Sequence, residues 1–315
     1  MWVLKLNMLF NNSAIAFGRN ETFALRYNWI FKGISSLKEN PDIFSSPDAL
    51  NHLGVGKNMM LSMRYWLLAY KLTDKDNHSD FSDLAAFIFD PDKGKDPFIE
   101  DVGTLWLLHW NLCTNPTQAT LYYWFFNFYN KTSFSKSEVL NSLEDWIEFK
   151  SSRKVSSKTL ERDINLLLKT YSAVESTSEN FEDLLENPFY EMALINKNLD
   201  GNFRCSIQHR DTISKYLLGY FIADLKEYFT QQDLINGPKN FDQLPVSEIL
   251  NSTEMPSIQK IFKTTEDCLY FLLEELQAAY PAVFKLDDTA GQKNLYINNL
   301  PNKLTFLEDY YSNRK

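Results

Sequence analysis

Glu100 and Asp101 are the best adjacent carboxylates in the chain for holding a divalent cation. Hard cations take oxygen ligands at about 2.0–2.6 Å, and metal-assisted phosphodiester cleavage uses such donors. The pair opens the stretch Val102 to Trp110, apolar nearly all round and therefore read as a buried helix. At a helix start, two acids also complement the dipole, so a purely structural reading stands beside the chemical one. His109 lies in the same stretch and reads first as a hydrogen-bonded core histidine and second as an acid/base group. Glu21 and Arg26 flank an apolar stripe of Phe23, Tyr27 and Ile30. Charges so placed need a partner or a task, which suggests either an ion pair with each other or a polar site. Asp90, Asp92 and Asp96 resemble a calcium loop, but Pro91 and the lack of a distal Glu weaken the likeness. Gly54-Val55-Gly56-Lys57 lacks the spacing of a phosphate-binding Walker loop.

The elements that would position such groups are mostly helices. Ser46 to Leu68 reads as a helix-turn-helix: Ser46 as N-cap, Pro47 at the first helical position, and Gly54 where a helix ends in a left-handed residue. Lys57, Asn58, Ser62 and Arg64 remain for the outer face of its second helix, and Lys57 and Asn58 stand where such a helix meets DNA. The same pattern also describes an ordinary helical hairpin. Ser135, three residues before Glu138, predicts a capped helix to about Phe149. The polar turn Lys150 to Lys154 precedes a capped helix from Val155 to Tyr171. There Leu160, Ile164, Leu167 and Leu168 face inward, and Lys158, Arg162 and Lys169 face outward. This is a second helix-turn-helix candidate, with Lys154, Lys158 and Arg162 facing a phosphate backbone. Upstream, Asn20 or Thr22 is expected to cap a helix that Gly33 ends.

Length and composition set the frame. The 315 residues are 44% hydrophobic and 15% aromatic, ample for two or three subdomains. The formal charge of −9 excludes a protein that coats DNA nonspecifically, but not local basic faces. Cys113, Cys205 and Cys268 are far apart and lack metal spacing, so they read as reduced thiols of a cytoplasmic protein. The apolar start, Met1 to Phe10, reads as a strand or helix and not a signal peptide, and no run is long enough for a membrane span. The fold class expected is mainly α: tandem helix-turn-helix or winged-helix-like modules at 1–75 and 76–174, then a mostly helical C-terminal domain at 175–315 with minor β. The Ser/Glu-rich stretch 173–180 marks the last boundary.

Several stretches together resemble a known family: Phe17 to Gly33, Leu53 to Met59, Arg64 to Trp66, Glu100 to His109, Thr159 to Asp163 and Thr289 to Gly291. The chain is thereby similar to an uncharacterised domain family of bacterial phage-defence clusters that put sulfur into the DNA backbone. The resemblance implies a DNA-nicking component working beside a cysteine desulfurase, an ATPase and a sulfur-inserting reductase-like enzyme. The resemblance does not say which residues cut; read from the residues themselves, a nickase would take Glu21, Glu100 and Asp101 as ligands of Mg2+ or Mn2+, with His109 as acid/base and Arg26 neutralising phosphate. One departure from the pattern matters: the family's His before Glu-Thr-Phe is Asn20 here. An adaptor that binds DNA without cutting it, or a regulator of the cluster, are the alternatives.

Overall fold

The computed structural model describes residues 15–74, 81–173, 186–236, 242–252, 256–289 and 292–314. The chain forms two compact units, one ending at Ser206 and the other running from Ile207 onward. Most of the described backbone is helical, with small sheets in each unit. Among the described residues, no helix is long and apolar enough to cross a membrane.

The first unit opens with α1 (Tyr27–Glu39), α2 (Ala49–Leu53) and α3 (Lys57–Ala69). Gly54 is left-handed, with φ +59°, and it ends α2 as its residue type predicts. The expectation for α1 is corrected. Gly33 does not end that helix but lies inside it, where an added Cβ would come within 2.8 Å of Leu67 Cδ1 on α3. Glycine here permits close helix approach. Nor does Asn20 or Thr22 cap α1, because both lie in a separate turn upstream. Met1 to Phe10 and most of the stretch 173–180 lie outside the described residues.

Next come α4 (Asp83–Phe89), α5 (Val102–Cys113) and α6 (Thr120–Asn127). Every residue of α5 from Gly103 to Cys113 is buried, as its all-round apolar pattern requires. Strand β1 (Ser133–Phe134) leads into α7 (Lys136–Lys150), α8 (Ser157–Tyr171) and β2 (Ser172–Ala173). Ser135 and Glu138 form the anticipated capping box, and Ser156 caps α8 by accepting from the Thr159 amide. After a short 3-10 helix, β3 (Ile195–Lys197) and β4 (Phe203–Cys205) complete a sheet ordered β1-β4-β3-β2. Strand β2 runs parallel to β3, and the other pairs are antiparallel. The segment after the expected boundary at 174–175 thus returns to the sheet before it, and the chain divides after Ser206.

Aromatic rings bind these elements into one core. Trp66 stacks on Tyr70 at 5.4 Å, and Tyr70 on Phe189 at 5.8 Å. Phe134 stacks on Phe203 across the sheet at 6.1 Å. Burial of such large side chains supplies most of the packing stability.

In the second unit, α9 (Lys215–Asn236) packs against α12 (Glu266–Ala279) and α13 (Lys303–Asn313). Gly219 makes this approach possible, since its Cβ would stand 2.6 Å from the Phe306 ring. Two short helices, α10 (Val246–Asn251) and α11 (Ile258–Phe262), pack together. Strands β5 (Gln243–Pro245), β6 (Phe284–Thr289) and β7 (Gln292–Ile297) form an antiparallel sheet ordered β5-β7-β6. Cys113, Cys205 and Cys268 are all buried.

Candidate functional site

The turn before α1 is pinned at both ends by other elements. At its start, the Gly18 amide donates to Asp163 Oδ2 at 2.7 Å, and Asn20 Nδ2 donates to Asp163 Oδ1 at 3.0 Å. At its end, the Phe23 carbonyl accepts from Trp66 Nε1 at 3.0 Å and Ser62 Oγ at 3.3 Å. The stretch 18–23 therefore bridges α8, which carries Asp163, and α3, which carries Ser62 and Trp66. Its backbone is unusual: Gly18, Glu21 and Thr22 have φ of +69°, +47° and +66°. Non-glycine residues persist in that region only when their surroundings hold them there. Asn20 is the internal brace, its Oδ1 accepting from the Thr22 amide at 3.0 Å.

Asp163 is buried and has raised proton affinity. Burial pushes its carboxyl up, while the Gly18 amide, Asn20 and Arg162 pull it back in part. The folded chain thus holds this proton to a higher pH than the unfolded chain does. Protonation linkage then adds stability that is fully present below the ordinary aspartate value and is lost as pH rises through the raised folded value. In denaturant titrations across that range, Asp163→Asn is expected to remove this component of the pH dependence.

The bridging turn forms one wall of an open cavity of about 410 Å³. Gly18, Arg19 and Glu21 line it from the turn, Leu61, Arg64, Tyr65 and Leu68 from α3, with Gln118 completing the rim. Arg19 Nη1 donates to Gln118 Oε1 at 3.2 Å. The Tyr65 phenol is pushed up by burial and by the Asp163 carboxylate, against the pull of Arg19. Glu21 and Arg64, distant in sequence, therefore share one cavity. Arg19, Tyr65, Gln118 and Asp163 belong to the same neighbourhood and were not singled out as site residues in the sequence.

The other candidate groups lie elsewhere. Arg26 pairs with Glu186 at 2.7 Å, not with Glu21, so the ion pair expected inside the motif closes on a distant residue. Asp101 caps α5 by accepting from the Gly103 amide at 2.7 Å. The amides of Glu100 and Asp101 both donate to the buried Asp96, which also accepts from the Thr104 hydroxyl at 2.5 Å. The acids of the supposed calcium loop are likewise engaged, Asp90 and Asp92 both holding Lys38. His109 is fully buried, its Nδ1 2.7 Å from the Tyr171 hydroxyl, the core role read first for it. Among the described residues, no three His, Cys, Asp or Glu side chains come together as a metal site. Glu21 therefore does not join Glu100 and Asp101 in one ligand set: it faces the α3 cavity, while they sit at the head of α5.

The basic residues fall in two places. Lys57 and Asn58 are exposed at the start of α3. Lys154 is exposed in the turn between α7 and α8, and Lys158 and Arg162 are exposed on α8 itself. The inward face of α8, with Leu160, Ile164, Leu167 and Leu168, is buried as its spacing predicts.

The architecture is thus a mainly helical protein of two units, whose first unit presents basic helix starts around a pinned turn. Two crystal structures share it: magnesium ion-bound SspB, with TM-score 0.81 and 25% identity, and SspB, with TM-score 0.79 and 26% identity. In each comparison the match covers 95% of this chain and 88% of the other. No curated protein matches the chain. Residues 17–311 match the family described as "protein of unknown function (DUF4007)", and the chain belongs to that family. The residues do not fit the magnesium set expected from the sequence, for the geometric reason given above.

Proposed function

We propose that this chain is the DNA-binding component of a bacterial DNA phosphorothioation defence system, holding duplex DNA for partner enzymes. The likeness to SspB over nearly the whole chain carries this reading. Topology and charge support it. Helix α6, strand β1, helices α7 and α8 and the β3–β4 hairpin come in the order of a winged-helix module, with β2 and the short 3-10 helix set between α8 and β3. In that arrangement α8 takes the recognition position and residues 198–202 form the wing tip. Lys154, Lys158 and Arg162 then face the duplex, and Lys57 and Asn58 at the start of α3 supply a second contact, with Arg64 and Arg26 farther in. The remaining surface of this acidic chain suits protein partners, for which the cysteine desulfurase, ATPase and sulfur-inserting enzyme of such systems are the candidates. A cytoplasmic location follows from that partnership.

Mobility shift on a duplex probe tests the reading. Parent protein is expected to bind with salt-dependent affinity, and Lys57→Glu to bind about tenfold more weakly with a flatter salt slope. Absence of duplex binding overturns it. A second reading, that the chain itself nicks DNA, is favoured by the magnesium-bound form of the similar SspB. Its candidate groups stand apart among the described residues, Glu21 in the α3 cavity and Glu100 and Asp101 at the head of α5, with His109 enclosed in the core, so such nicking would use no single metal set of the four. Supercoiled plasmid incubated with Mg2+ or Mn2+ separates the two. Open circles that vanish in Glu21→Gln/Glu100→Gln establish nicking, and bound but uncut plasmid establishes the adaptor.

A further inference from the structure

The geometry points to a nucleotide pocket in the first unit: the cavity between the 18–23 turn and α3 takes one nucleoside phosphate unit, its phosphate held by Arg19 and Arg64. This deepens the DNA-binding reading and rests on it only for the source of the ligand. The cavity, at about 410 Å³, has the size of a small-molecule site. Arg64 is half-buried in its wall, yet its side chain makes no hydrogen bond or ion pair with any described residue. A guanidinium on a cavity wall without a protein partner is placed to meet an anion, and its planar fork suits phosphate oxygens. Arg19 spends one nitrogen on Gln118 and keeps the others.

Two guanidiniums against the single Glu21 carboxylate leave the cavity net positive. The rest of the lining argues for more than a bare phosphate. Leu61, Leu68 and the Tyr65 ring give an apolar wall against which a base can lie. Glu21 accepts from hydroxyl or amino groups, and Gln118 offers an amide beside Arg19. The site is also held firmly. The turn that carries Arg19 and Glu21 is tied to Asp163 at one end and to Trp66 and Ser62 at the other, so the two faces of the cavity have fixed spacing. The same chemistry is offered by a free mononucleotide and by the terminal or unstacked nucleotide of a DNA strand.

Equilibrium binding to the full chain tests this with four probes: deoxyadenosine monophosphate, inorganic phosphate, and a short single strand with and without a 5′-phosphate. Binding of either nucleotide probe is expected, weakened about tenfold or more in Arg64→Gln and in Arg19→Gln, with Arg64→Lys intermediate because a lysine keeps charge but not the fork. Arg19 is exposed, so its variant folds even if Arg64→Gln does not. Preference for the 5′-phosphorylated strand over the mononucleotide identifies DNA as the source, and the reverse identifies a free nucleotide. Equal binding in the parent and both Gln variants overturns the proposal, as does binding of inorganic phosphate with no gain from the nucleoside. Lys158→Glu/Arg162→Glu is expected to leave mononucleotide binding intact. Duplex binding by a parent protein that takes none of the four probes overturns the pocket alone, whereas nucleotide binding without duplex binding overturns the DNA-binding reading alone.

Discussion

Asp163→Ala is expected to lower the unfolding free energy by about 3 kcal/mol, read as a shift of the urea midpoint at unchanged slope. The side chain is buried and satisfies two donors from the turn, the Gly18 amide and the Asn20 amide group. Alanine leaves both without their acceptor, at about 1–3 kcal/mol where the donor is buried, as Asn20 is, and less at Gly18 on the cavity wall. The loss also falls on strained backbone: with the anchor gone, Gly18 and Asn20 lose their hydrogen bonds to α8, and Glu21 and Thr22 are expected to relax from their left-handed conformation. Asp163→Asn keeps one acceptor oxygen and presents an amide to the other donor, so its destabilisation falls between parent and alanine. If alanine at 163 leaves the midpoint unchanged, the turn is held by α3 alone. Asn20→His is expected to place an imidazole within reach of the same carboxylate.

Lys158→Glu/Arg162→Glu is the second large effect, an expected loss of about a hundredfold in duplex affinity at moderate salt. Both residues are exposed on the outer face of α8, in the same segment as Lys154. If each meets a phosphate, each releases about one counterion on binding, and reversal adds repulsion to the lost contact. The slope of log affinity against log salt should then flatten by about two. The inward face of α8 is untouched by these changes, so the fold is retained. A parental slope in the double variant would remove α8 from the interface and leave α3 as the only basic helix start assigned to it.

Features set by neighbours along the chain were legible beforehand. Ser135 and Glu138 announced the start of α7 because a capping box is complete within four residues. Gly54 announced the end of α2 because left-handed backbone favours glycine, and the apolar spacing of α8 named its buried face. What escaped was set by distance. Arg26 was matched to Glu21, five residues away, when its partner is Glu186. Asn20 was visible as a departure from the family pattern, but its bond to Asp163 spans 143 residues, and no periodicity reports such a closure. Gly33 misled for a related reason: glycine serves helix ends and close helix packing alike, and only the position of Leu67 decides between them. The two carboxylates at 100 and 101 looked like metal ligands because adjacency is what a sequence displays. Their backbone amides are held by Asp96, whose burial the sequence does not show, and the Asp101 carboxylate is taken up in capping α5.

The three buried thiols make the protein its own reporter of partial opening. Cys113 on α5 and Cys205 on β4 lie in the first unit, and Cys268 on α12 lies in the second. A small alkylating reagent reaches each only when its surroundings open, so the mass added per peptide over time measures opening of each unit in native buffer. Independent units give one rate for Cys268 and a different one for Cys113 and Cys205. A single common rate would mean that the two units open as one. Ligands that occupy the first unit alone, duplex DNA or a nucleotide, should then slow two of the three cysteines and leave the third unchanged.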